Sequence, residues 1–178
     1  GRMRFSESGI PGAWVIEVEP VGDARGSFAR VFCEEEFARH GIETRYRQHS
    51  ISRSASRGTL RGLHFQLPPH QETKVVTCLR GAIYDVCVDL RPGSPTFKQW
   101  RAVELTGENQ RRFVIPEGCA HGFQALTDDA EVLYLISTNY NAGASSGVRW
   151  DDPAFGVSWP LPVAIMSDRD RAWPPFTG

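Results

Sequence analysis

Apolar and polar residues alternate over short stretches along most of this chain, and turn-forming residues separate the stretches. Trp14–Val18 reads as a strand and residues 27–32 as a second, with Gly22-Asp23-Ala24-Arg25-Gly26 turning between them. Residues 59–66 and 74–79 read as strands flanking the turn Leu67-Pro68-Pro69-His70. The run over 82–90 alternates well: Ala82, Tyr84, Val86, Val88 and Leu90 share one face, Ile83, Asp85, Cys87 and Asp89 the other. Carboxylates on that second face predict contact with solvent or with a wet cavity. Further strands are expected over 99–105, 110–115, 122–126 and 131–138. Helical signals are strongest over 34–41, with acids in the first turn, bases near the last and Gly41 at the stop. The stretch from Asn141 to Gly178 is rich in Trp, Pro and Asp; it is expected to wrap the barrel, with one helical turn at Ser167-Asp168-Arg169-Asp170. Many short strands at near-regular spacing predict an antiparallel sandwich or barrel.

Composition narrows the class. A chain of 178 residues suits one domain, 1–178, and can bury a core without disulfide or metal staples. Gly1 and Arg2 precede Met3 and are expected to be an added scar, with Met3 the native start. Hydrophobic residues at 40% and charged residues at 23% read as an ordinary soluble globular protein. No apolar run approaches the ~20 residues of a membrane span, and the N-terminus lacks the apolar core of a signal peptide; a cytoplasmic location is expected. The formal net charge of -1 gives no general attraction to nucleic acid or to an anionic membrane. Of the 20 basic residues 18 are Arg, so Lys74 stands out as a compact charge where the chain otherwise chooses a planar fork. Cys33, Cys78, Cys87 and Cys119 show no CxxC spacing and are expected to be free thiols in a reducing compartment.

Three segments concentrate chemistry. The first is Arg57-Gly58-Thr59-Leu60-Arg61-Gly62-Leu63-His64-Phe65-Gln66, where regular alternation places Arg61 with Leu63 and Phe65, and His64 with Gly62 and Gln66. The second, Ile115-Pro116-Glu117-Gly118-Cys119-Ala120-His121-Gly122-Phe123, has the Pro-x-Gly-x-x-His spacing of a cupin turn into a strand. The cupin metal pattern also needs His-x-His; His64-Phe65-Gln66 offers Gln in the second place, so a metal site is disfavoured. The third runs from Trp150-Asp151-Asp152-Pro153 through Gly156-Val157-Ser158-Trp159-Pro160 to Ser167-Asp168-Arg169-Asp170.

Together these segments resemble the dTDP-4-dehydrorhamnose 3,5-epimerase family. The resemblance also rests on Gly22-Asp23-x-Arg25-Gly26, Asp85-Val86-x-Val88-Asp89-Leu90-Arg91 and Gly93-Ser94-Pro95-Thr96-Phe97, and it covers nearly the whole chain. It implies an all-β cupin-like jelly roll, a homodimer, no metal and no cofactor. It also implies a nucleotide-diphosphate sugar substrate, a 4-keto-6-deoxyhexose epimerised at C3, C5 or both. By this resemblance His64 is the base, oriented by Asp170; Asp85, on the wetter face of its strand, is the second candidate for that partner and is otherwise expected among the substrate-binding residues. Tyr134 resembles the proton donor and Lys74 the cation near the C4 oxygen. Arg61 and His121 are similar to positions that touch sugar and pyrophosphate; Arg25, Gln48 and Arg169 match positions that hold the nucleotide diphosphate. The chain departs from the family pattern at Gln48-His49-Ser50-Ile51, at Arg30, at Asn139-Tyr140 and around Ser145, which leaves the nucleotide and the regiochemistry open. A mono-epimerase or ketoisomerase on another nucleotide sugar, a non-catalytic sugar-nucleotide binder and a metal-dependent oxygenase are the competing readings.

Overall fold

A computed structural model describes residues 2–178. In chain order the strands are β1 (Met3–Glu7), β2 (Trp14–Val18), β3 (Val21–Asp23), β4 (Gly26–Phe28), β5 (Gln48–Ser54), β6 (Leu60–Gln66) and β7 (Lys74–Arg80), followed by β8 (Ala82–Asp89), β9 (Trp100–Thr106), β10 (Arg112–Ile115), β11 (Cys119–Ala125), β12 (Ala130–Ile136) and β13 (Ser145–Gly147). Two short helices accompany them, α1 (Glu34–Arg39) and α2 (Asp168–Arg171), with a 3-10 turn at Ala142–Ala144. Six strands form one sheet in the order β1-β2-β10-β7-β12-β5, and five form a second in the order β13-β6-β11-β8-β9; β3 and β4 make a separate ribbon. The pairings are antiparallel and the two large sheets face each other, which is the jelly-roll arrangement expected. Among the described residues no helix is long and apolar enough to cross a membrane.

The central strands of both sheets are covered on both faces, which explains the nearly unbroken apolar runs of β7 and β8. Between the sheets, Val76, Phe113 and Val132 of the six-stranded sheet meet Ile83, Cys87 and Phe123 of the five-stranded one. Outside the six-stranded sheet, α1 lays Phe37 over Ile16, Val75, Val114 and Leu135. Phe37 is wholly buried, so its replacement by Ala should cost about 3–5 kcal/mol. Outside the five-stranded sheet, Phe155, Trp159 and Phe176 of the tail cover Leu63, Val86 and Val88. The tail is pinned by Asp152, whose carboxylate accepts the Ala154 and Phe176 backbone N–H groups at 2.9 and 2.8 Å.

The structure revises several local expectations. The turn expected over 22–26 tightens to Ala24-Arg25 between β3 and β4, and the strand expected over 27–32 ends at Phe28. β5 has no counterpart in the apolar pattern, and neither does β1 or β13. Regular alternation fails in β6. His121 pairs with His64 but Phe123 pairs with Arg61, and this register shift turns both Arg61 and His64 toward the same cavity while Leu63 packs under the tail. Glycine is required here: a Cβ on Gly122 would lie 2.5 Å from the Arg61 carbonyl, and one on Gly62 would lie 2.6 Å from the Gly122 Cα.

Candidate active site

A cavity of about 650 Å³ opens between the two sheets. The five-stranded sheet contributes His64 and Arg61 from β6 and His121 from β11; the six-stranded sheet contributes Gln48 and Ser52 from β5, Lys74 from β7 and Tyr134 from β12. Arg169 and Asp170 reach in from α2.

His64 and Asp170 are 106 positions apart in sequence and in contact in space: Nε2 and the Asp170 Oδ1 lie 2.6 Å apart. Asp170 is held from three further directions. Its Oδ2 accepts the Gly62 N–H at 3.0 Å, its Oδ1 accepts the Trp173 indole N–H at 3.1 Å, and its own N–H donates to the Ser167 N-cap hydroxyl. Burial works to raise this carboxyl, but the bonds from His64, Gly62 and Trp173 outweigh it and hold Asp170 below the usual carboxylate range. The His64 side chain is 42% exposed, so the ring face and edge away from Asp170 remain open to a ligand.

A second imidazole–carboxylate pair stands one strand away. His121 Nε2 lies 2.6 Å from Asp85 Oδ1, with side chains 4% and 0% exposed. Asp85 therefore belongs to His121 and not to His64, and it sits in a dry interior instead of on the wet face its alternation predicts. Burial pushes Asp85 up and His121 down, since the charged form of each is penalised. The Asp85 Oδ2 is buried with no partner. Tyr134 packs edge-on to His121 with ring centroids 6.0 Å apart, and its hydroxyl lies 3.1 Å from the Ser52 Oγ. Burial drives the Tyr134 phenol well above the ordinary tyrosine value, so it is a protonated donor at neutral pH.

Lys74 Nζ lies 3.4 Å from Glu72 Oε1, both side chains largely buried. Glu72 was not among the sequence candidates; its place two residues before Lys74 in extended chain puts the two on one side, a signal available in the sequence. Ser52 was also missed, because β5 itself lacks an apolar pattern. Arg61 is braced by the Ser54 hydroxyl at 3.0 Å and the Arg53 carbonyl at 2.9 Å. Arg169 donates to the Ser145 hydroxyl at 2.9 Å, and Gln48 accepts the Tyr140 N–H at 2.9 Å. Arg25 is the exception. It lies at the exposed tip of the β3–β4 ribbon, ion-paired with Asp23, and does not line the cavity. Among the described residues no three His, Cys, Asp or Glu side chains gather as metal ligands. The two imidazoles of the cavity are each already bonded to a carboxylate.

An open imidazole braced by a carboxylate on one sheet, facing a buried phenol and a cation on the other, can take a proton from one side of a ligand and return one from the opposite side. Comparison with known proteins agrees. The family model for dTDP-4-dehydrorhamnose 3,5-epimerase matches residues 7–178. A dTDP-4-dehydrorhamnose 3,5-epimerase from Methanothermobacter thermautotrophicus is 46% identical, over 98% of this chain and 95% of its own. A dTDP-4-dehydrorhamnose 3-epimerase from Streptomyces niveus is 39% identical, over 95% of this chain and 82% of its own. The crystal structure of the Bacillus anthracis dTDP-4-dehydrorhamnose 3,5-epimerase, with TDP and pyrophosphate bound, superposes with a TM-score of 0.95 at 40% identity, covering 98% of this chain and all of that one. The chain belongs to the dTDP-4-dehydrorhamnose 3,5-epimerase family, a family of isomerases.

Proposed function

We propose that this protein epimerises a dTDP-linked 4-keto-6-deoxyhexose at C3 and C5 without a cofactor. The observation that carries the reading is the placement of the His64–Asp170 pair and the Tyr134 phenol on opposing sheets of one cavity. The C4 ketone acidifies the neighbouring C–H bonds. His64 takes the proton, the C–H electron pair becomes the enolate C=C bond, and charge gathers on the C4 oxygen. Lys74, its side chain largely buried, neutralises that oxygen. Tyr134 then donates its proton to the opposite face of the carbon, which inverts the centre. Arg61, His121, Gln48 and Arg169 hold the sugar and diphosphate; a guanidinium fork suits phosphate through paired hydrogen bonds.

Proton NMR in heavy water with a panel of nucleotide 4-keto-6-deoxy sugars tests the reaction. Deuterium entering at C3 and C5 is expected. Deuterium at C3 alone would identify a mono-epimerase, the second reading, which the Streptomyces niveus relative favours. No exchange with any sugar would leave only a binding role.

The chain is proposed to act as one domain, as a homodimer and in the cytoplasm. Four free cysteines support a reducing compartment. Val21 and Phe28 on the β3–β4 ribbon are 62% and 78% exposed, which suits a surface covered by a second copy. Arg25, on the same ribbon, can serve a diphosphate only in the cavity of that second copy. Sedimentation should show a dimer that Phe28→Ser dissociates; a monomeric wild-type chain would remove the dimer.

A further inference from the structure

The outer face of the six-stranded sheet holds a second cavity, of about 370 Å³, on the far side of the strands that carry Ser52 and Tyr134. Leu133 and Leu135 of β12 form its floor, and Phe32 closes one side. Arg112 of β10 lines it. This side chain is unlike the other arginines. The residue is 4% exposed, makes no ion pair among the described residues, and its Nε is buried with no hydrogen-bond partner. Tyr46 lines the same cavity, and its hydroxyl is also buried and unpartnered.

An uncompensated buried guanidinium is costly, and proteins retain such charges where something pairs them. Burial alone pushes Arg112 down to about 10, which leaves it charged at neutral pH. Its free edge is a planar fork that matches the two oxygens of a carboxylate, with the Tyr46 hydroxyl available as a third donor. One fixed positive charge suits a single negative charge, and Leu133, Leu135 and Phe32 offer a surface for an apolar body. The volume is that of a small-molecule pocket. We propose that this outer cavity binds a small monoanionic carboxylate with an apolar body, its carboxylate clamped by Arg112 and Tyr46.

The test titrates the full chain with hexanoate and benzoate, and with the uncharged hexanamide and benzamide. Amide NMR shifts of Thr44, Tyr46 and Leu133 report occupancy, and calorimetry reports affinity. Saturable binding of the acids is expected, at least about tenfold tighter than the amides, because a hydrogen bond to a charged group is lost with the charge. Tyr46→Phe should weaken the acids severalfold, and Arg112→Met should abolish their binding. The wild-type titration alone decides the matter if Arg112→Met fails to fold. Amides binding as tightly as the acids, or no saturable shift with either acid, overturns the site. If no acid binds and Arg112→Met also breaks up the oligomer in sedimentation, a carboxylate of a second copy is the true partner and the small-ligand site is wrong.

Discussion

The two histidine–aspartate pairs of the cavity have the same 2.6 Å separation and sit on neighbouring strands at registered positions, yet they are different devices. His64 is 42% exposed and its carboxylate is tied down by three N–H donors. His121 is 4% exposed, and its carboxylate has one oxygen with no partner at all. Equal geometry thus supports unequal proton traffic: the open ring can gain and lose a proton against a ligand, while the closed ring is held by burial in one arrangement. A carboxylate beside an imidazole is not evidence of a base; access is.

The sharpest way to break this contrast is to remove each imidazole or its partner. His64→Ala should lower turnover by about 10²–10⁴-fold, the range for a positioned base, with unchanged thermal unfolding. Wild-type turnover in that variant would take the base role from His64. Asp85→Ala should lower stability by about 1–3 kcal/mol in urea unfolding, because it leaves the buried His121 Nε2 without its partner. An Asp85→Ala protein as stable as wild type would show that the buried pair contributes nothing to the fold. Tyr134→Phe separates abstraction from return. Solvent deuterium should still enter the substrate while epimerised product slows by about 10²-fold, as followed by NMR. Equal loss of both would mean that Tyr134 is no separate acid.

The smallest effect compares Asp85 with Asp89, which shares its strand face. Burial raises Asp85, whereas at Asp89 the bonds from Arg91, Ser94 and Thr96 overcome burial and bring the carboxyl down to about 2. A folded value below the ordinary 3.8 means that the unfolded chain binds the proton first as pH falls. The stability contributed by Asp89 is therefore complete above pH 3.8 and is lost toward pH 2, on the order of 1–2 kcal/mol. Acid unfolding of Asp89→Asn should lack this limb; an unchanged acid limb would count against it.

Strands with one greasy face were legible in the sequence, β6, β7 and β12 of the site among them, and β5 was not. β2 matches the expected Trp14–Val18, and α2 lies one residue along from the turn expected at Ser167-Asp168-Arg169-Asp170, with Ser167 as its cap. β5 was invisible because its inner residues, Gln48, Ser50 and Ser52, line a wet cavity and its outer Ile51 is exposed; a strand built for binding reads as a loop. The pairing of His64 with Asp170 came only from family resemblance, since no local pattern links positions 106 apart. Alternation gave Asp85 its face but not its wetness, because the partner that satisfies it, His121, lies on another strand. The facing of Arg61 was missed because the irregular step opposite Gly122 leaves no mark on hydrophobic periodicity.

That step carries a consequence for anyone who screens variants of this chain. Gly62 and Gly122 let two backbones nearly touch, and the spacing of the two imidazoles depends on that closeness. A methyl group at either position would wedge the strands apart and misaim both rings. In a mutational map these glycines would score among the most sensitive sites, although neither has a side chain to offer a substrate. Such a map would trace the jig that holds the tools along with the tools themselves.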